Sequence, residues 1–176
     1  MRNIRFAYIP DKFISLTGKH VIDRLKNNCK NVVTFRSPAR KGKKTNMKSI
    51  FRSTSYELFI GEKNRNNNKS GLALAVCGSH ESIVFSADHT NYQIWNCIYP
   101  NINKKDVFNI VVPHHGGYCG KIMIKSISPE KAGKAVVSVG KNYYKHPRQK
   151  TLDMYTSLGF ELVRTDWERH DIIINL

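Results

Sequence analysis

Three short segments of this chain carry side chains able to bind a metal ion or move a proton, and each follows an apolar run. Ala87-Asp88-His89 follows Ile83-Val84-Phe85-Ser86, Pro113-His114-His115-Gly116-Gly117 follows Phe108 to Val112, and Tyr144-Lys145-His146-Pro147 comes soon after Ala135 to Val139. A carboxylate and an imidazole held on rigid strand ends suit zinc or manganese, and strand ends at one edge of a sheet can converge. Asp88 and one of the adjacent pair His114 and His115 are therefore the candidate ligands. The glycines after His115 would let backbone and substrate approach closely. His146, just ahead of a helix, has helix entry and packing as its plain reading. His89 stands next to Asp88 on an extended chain and so faces the other way, while His80 and His170 fall in turns and read as solvated.

These residues need a frame. Apolar positions from Phe13 to Leu25 have loosely helical spacing and lead into the β-branched stretch Val32-Val33-Thr34-Phe35, a helix followed by a strand. Ser37 to Lys48 is basic, aperiodic and loop-like. Strands are expected at Tyr56-Ile60, Leu72-Cys77 and Ser82-Ser86, the last two as a hairpin through Gly78-Ser79-His80-Glu81. A short helix follows from Asn91 to Ile98, then a strand at Val107-Val112 apolar enough to be buried on both faces. Further on, the pattern predicts a helix over Lys121-Ile127, a buried strand over Ala135-Val139, and a helix over Pro147-Leu158 with Pro147 in its first position and Gly159 as its stop. Phe160-Val163 and Ile172-Asn175 would be the closing strands. The whole reads as one layered α/β domain over residues 1–176.

Composition bounds the function. With 40% apolar residues the chain should fold around a real core. No apolar run approaches the roughly 18 residues of a membrane span, and no leader pattern opens the chain, so a soluble cytoplasmic protein is expected. Cys29, Cys77, Cys97 and Cys119 form no CxxC pair and should be reduced and mostly buried. The 29 Lys+Arg against 13 Asp+Glu give a formal charge of +16, which favours polyanions such as nucleic acid. Lys41, Lys43 and Lys44, with Lys141 and Lys145 farther along, are the candidate nucleic-acid contacts; a solvated lysine-rich surface is the plainer alternative.

The order of motifs resembles a known family: the C-terminal hydrolase domain of ComEC-type DNA-uptake proteins and their soluble relatives in the metallo-β-lactamase superfamily. Carrying that resemblance are Asn68 with the strand from Leu72, Ser86-Ala87-Asp88 where the family has Thr-Gly-Asp, His114-His115-Gly116-Gly117 for its His-His-Gly-Ser, and Ser138-Val139-Gly140-Lys141-Asn142 with His146-Pro147 behind it. Leu158-Gly159-Phe160, Arg164-Thr165-Asp166 and Ile172-Ile173-Ile174 resemble the family's ending, so the similarity spans about residues 50–176. It implies half of an αββα sandwich, one or two Zn2+ or Mn2+ ions, Asp88 as the bridging carboxylate, His114 as the last metal-binding histidine, and His146 as a group near the substrate phosphate. In such a site the metals turn a bridging water into hydroxide that attacks phosphorus or a carbonyl.

The superfamily's His-x-His-x-Asp-His motif is missing: His20 is the only histidine before His80. What remains offers too few ligands for a catalytic zinc, so metal binding by this chain alone should be weak or absent. Three readings follow. The first is a truncated hydrolase, directed at nucleic-acid phosphodiesters, that depends on a separately encoded N-terminal half and leaves an apolar sheet face exposed. The second is a non-catalytic, basic nucleic-acid-binding module. The third is a self-sufficient enzyme in which His80, His89 or His170 joins Asp88 and His114.

Overall fold

A computed structural model describes residues 4–10, 16–65, 69–102, 105–122, 127–140, 144–167, 171–174 and 176. Near the start, β1 (Ile4–Pro10) and β2 (Cys29–Phe35) pair in parallel, joined through α1 (Leu16–Asn28), as a two-stranded sheet of their own. The helix and strand expected here are present, the helix shifted toward its C-terminal side; Phe13 lies outside the described residues.

After the loop 36–46, β3 (Met47–Arg52), β4 (Tyr56–Gly61), β5 (Leu72–Cys77) and β6 (Glu81–Phe85) run antiparallel, as their short connections require. The β5–β6 hairpin is the one the turn residues predict, closed by Gly78 N–H donating to the Glu81 carbonyl at 2.9 Å. From β6 onward, connections lengthen and pairing becomes parallel. α2 (Asn91–Gln93) continues through the π-helical turn Ile94–Ile98 into α3 (Tyr99–Ile102); β7 (Val107–Val111), β8 (Ala132–Val137), α4 (Gln149–Ser157) and β9 (Glu161–Arg164) complete the unit. The result is a seven-stranded mixed sheet whose strands lie in chain order, a layered α/β architecture as expected.

A capping box starts α2: the Thr90 hydroxyl accepts from the Gln93 backbone while the Gln93 side chain accepts from the Thr90 N–H. That fixes the helix where Ile94, Trp95, Ile98 and Ile102 bury onto Phe108 and Ile110 of β7. Trp95, Phe108 and Phe160 form a ring cluster with centroids 5.4–6.2 Å apart, Phe108 and Phe160 edge to face and Trp95 tilted against both, and each such buried ring stabilises the fold by about 1.5–3 kcal/mol through area alone. Tyr155 and Leu152 of α4 close the same core. Gly159, at φ +90°, ends α4 in the left-handed conformation glycine favours.

Four expectations need correction. Ile172-Ile173-Ile174 form no strand: Ile173 and Ile174 instead border a shallow cavity at the ends of β6, β7 and β8, with Glu81, Asn109 and Gly133. Leu176 lies so close to Gly78 that a Cβ there would fall 1.9 Å from its carbonyl carbon. The helix after Pro147 begins only at Gln149, because Arg148 is extended (φ −85°, ψ 133°) and its N–H is drawn to the Gly116 carbonyl at 3.0 Å. Lys121, Ile122 and Ile127 are in no helix, and the centre of that expected helix lies outside the described residues, as does Asn175. Of the cysteines, all free, only Cys119 is buried; the other three are half-buried, because they sit at strand ends and on a helix flank. Among the described residues no helix is long and apolar enough to cross a membrane.

Candidate functional site

The parallel strands β6, β7 and β8 all point their C-terminal ends to one edge of the sheet, the edge where open α/β sheets hold ligands. Asp88 follows β6, His114 and His115 follow β7, and the segment leading to His146 follows β8. The first two loops are tied together by the His114 N–H, which donates to the Ala87 carbonyl at 3.0 Å. The third is tied by the His115 ring, whose Nδ1 lies 2.8 Å from the Ser138 carbonyl oxygen. The three segments chosen from sequence therefore do meet.

Asp88, His114, His115 and Ser138 line one cavity of about 380 Å³, whose remaining wall is apolar: Leu58, Leu74, Phe85 and Val111. His146 stands behind His114 with ring centroids 4.9 Å apart. Gly116 and Gly117 serve this approach. A Cβ on Gly116 would fall 2.5 Å from the Pro147 side chain, and one on Gly117 would fall 2.9 Å from the His146 ring and 3.0 Å from His114 Nδ1. The glycine pair thus admits the His146-Pro147 segment, where the sequence suggested room for substrate.

Backbone strain is concentrated here. Ala87 (φ 47°), His114 and His115 (both φ 53°) and Lys145 (φ 55°) are the non-glycine residues with positive φ among the described residues, and all four belong to these three loops. Each costs on the order of 1–2 kcal/mol, and such strain persists where surrounding structure holds it, commonly at ligand sites.

Burial lowers the His146 pKa, and the neighbouring His114, Arg148 and His115 push the same way against the pull of Asp88, so the neutral ring is favoured. Burial, with Asp88 nearby, pushes the Cys119 thiol up to about 11, which makes it an inert packing residue. His89 is wholly buried on the far side of Asp88, beside Gln93 and the Gly71-Leu72 backbone. It lines no part of the Asp88 cavity, although the reason is a turn and not strand alternation, since β6 ends at Phe85 and Ala87 is at φ 47°. His80 is exposed at the opposite end of β6, with Nδ1 3.2 Å from Asp106. Neither His80 nor His89 lines the cavity of Asp88 and His114, and His170 lies outside the described residues.

The donors on this edge do not by themselves fit a catalytic metal ion. Among the described residues no three His, Cys, Asp or Glu side chains are grouped as a metal would require, although the Nδ1–H that His115 gives to the Ser138 carbonyl leaves its Nε2 lone pair available. Of the basic candidates, Lys43 and Lys44 line a second cavity next to this edge; Lys41 and Lys145 are exposed outside it, and Lys141 lies outside the described residues. Ser138, whose carbonyl orients His115, was not foreseen, since a backbone acceptor leaves no mark on side-chain pattern. Compared with known proteins, the chain matches no family model, no curated protein and no solved structure.

Proposed function

We propose that this chain is the C-terminal half of a metal-dependent phosphodiester hydrolase of the metallo-β-lactamase type, completed by a second polypeptide segment that brings the missing histidines. The observation that carries the reading is the strained edge itself: three loops hold Asp88, His114, His115 and His146 together, and they open onto a sheet face that this chain leaves partly uncovered. Across that face Phe51, Leu58, Leu74, Phe85, Val111, Val136 and Val163 lie in one register row. Phe51 and Phe85 are 37% and 45% exposed. A contiguous apolar face beside incomplete ligands is what half of an αββα sandwich would present. In the complete protein Asp88 and His114 would be this chain's metal donors, for Zn2+ or Mn2+, and neutral His146 would accept a hydrogen bond beside them.

Metal content by mass spectrometry and turnover of bis-p-nitrophenyl phosphate test this. The chain alone should carry substoichiometric zinc or manganese and no turnover. Co-expression with a neighbouring reading frame that encodes His-x-His-x-Asp-His should restore both, and Asp88→Ala or His114→Ala should remove them again. Stoichiometric metal with turnover in the chain alone, or restored turnover that survives Asp88→Ala, overturns the proposal.

A further inference from the structure

A cavity of about 760 Å³ lies between the 36–46 loop, the start of α2 and the segment after Gly117. Five cationic side chains line it, Arg40, Lys43, Lys44, Lys69 and Lys121, and no Asp or Glu does. Among the described residues none of the five is in an ion pair. Like charges gathered around a concavity repel one another and raise its potential, so a bound polyanion relieves a cost already present in the free protein. Glu62, the acid bonded to the loop's end, is buried and accepts from the Asn46 N–H at 3.1 Å, and it does not line the cavity.

Two tyrosines share the cleft. Tyr92 is held in place: Lys44 Nζ sits 4.6 Å from its ring centroid and its hydroxyl reaches Asn46 Oδ1 at 3.3 Å. Tyr118 is 61% exposed and among the cations, an arrangement that leaves a ring face for a ligand. A positive groove with an exposed aromatic platform is the combination that holds single-stranded nucleic acid, phosphates on the lysines and a base on the ring. A duplex is too thick to enter a pocket walled on three sides and could touch only its rim.

The cleft also adjoins the strained edge. Gly117 contacts His114 and His146, and the next four residues, Tyr118 to Lys121, line the cleft; Thr90 lines it two residues after Asp88. We infer that the cleft binds a single nucleic-acid strand and leads it toward Asp88 and His114. The second half of that statement rests on the proposed hydrolase; the binding does not.

Fluorescence anisotropy of a labelled 15-nucleotide oligothymidylate, with the chain alone in EDTA, tests the binding with no metal or turnover involved. The log–log salt dependence should have a slope of roughly −2 to −3.5, from three to five phosphates at about 0.7 each. Lys44→Gln, Lys69→Gln and Lys121→Gln should each flatten it by about 0.7, whereas Lys105→Gln and Lys150→Gln, outside the cleft, should leave it alone. Tyr118→Ala should weaken binding about tenfold at unchanged slope, since stacking is not a charge effect. Circular dichroism checks that each variant is folded. Equal affinity for a duplex of matched length, displacement of the strand by equimolar adenosine monophosphate, or cleft variants that keep the parent slope would each overturn the inference. Because no metal enters, its failure would leave the hydrolase proposal standing, and failed metal restoration would leave this binding intact.

Discussion

The two faces of the seven-stranded sheet are made from the same alternating strands and have opposite fates. One face, with Phe59, Ala75, Val84, Phe108, Ile110 and Val137, is sealed beneath α2, α3 and α4 and holds most of the largest fully buried side chains, Ile60 on the other face being an exception. The other carries an equally apolar row, yet Phe85 and Phe51 remain open to solvent. Apolar surface left exposed costs about 25 cal/mol per Å² relative to burying it. A strand row that is hydrophobic and uncovered marks a surface that something else covers. Three of the four strained non-glycine residues, Ala87, His114 and His115, line the cavity of Asp88 at the rim of the open face, so the closed face holds the core and the open face carries the candidate site.

That division is sharpest in the response to truncation. Phe108, 2% exposed and in ring contact with Trp95, Tyr99 and Phe160, should lose about 3–5 kcal/mol on Phe108→Ala, through lost transfer energy and the cavity left behind. Urea unfolding followed by circular dichroism measures it. A cost under about 1 kcal/mol would mean the closed face is not the core.

Next in size is the hinge between core and open edge. Gly116→Ala places a Cβ 2.5 Å from the Pro147 side chain at φ +79°, adding left-handed strain of about 1–2 kcal/mol to an overpacking cost of about 1–3 kcal/mol. A loss of about 2–4 kcal/mol is expected, with displaced His146 ring signals in proton NMR. A neutral result would mean that the His146-Pro147 segment does not rest on this glycine.

Acid should separate the faces as well. Burial lowers the His89 pKa on the closed side, and Gln93, the Gly71-Leu72 backbone and Asp88 only partly offset it, without hydrogen-bond geometry at either ring nitrogen. The folded chain therefore favours neutral imidazole while the unfolded chain takes up a proton below about pH 6.5. Stability should be fully present above that pH and fall as the pH drops below about 6.5 toward the lowered pKa of the folded state. His89→Gln should flatten that limb of the curve of urea midpoint against pH. An unchanged limb would assign the acid sensitivity elsewhere, with His146, shifted in the same direction, the next candidate.

Legibility in the sequence follows the same line. β4, β5, β6 and β7 were readable because both faces of these strands are apolar whether or not both are covered. β3 was not: Met47-Lys48-Ser49-Ile50-Phe51-Arg52 is an edge strand with an irregular register between Ser49 and Phe51, and its polar residues broke the alternation. β1 escaped for want of any turn signal before it. The isoleucines at 172–174 misled in the other direction, since an apolar triplet predicts burial and cannot say what it packs on. Asp88 and His114 could be placed at one sheet edge from sequence because each follows an apolar strand within three residues, whereas His146 stands nine residues past the end of β8. The cleft was half-found: Lys43 and Lys44 form a run, whereas Lys69, Lys121 and Tyr118 are brought to it only by the fold.

The smallest expected effect probes the open face directly. Phe85 pairs with Leu74 on one side and Val111 on the other, and it is 45% exposed beside the cavity of Asp88 and His114. If that face is uncovered in the free chain, Phe85→Ser removes a ring that contributes little, and the urea midpoint should move by no more than about 0.5 kcal/mol. The parent chain, measured by sedimentation velocity over a concentration series, should show weak self-association through the apolar row, and the variant should show less. A loss of about 2 kcal/mol or more, with no change in sedimentation, would mean the chain covers its own face and needs no second segment there. The comparison of the two faces would then collapse into one continuous core, and the proposed missing half with it.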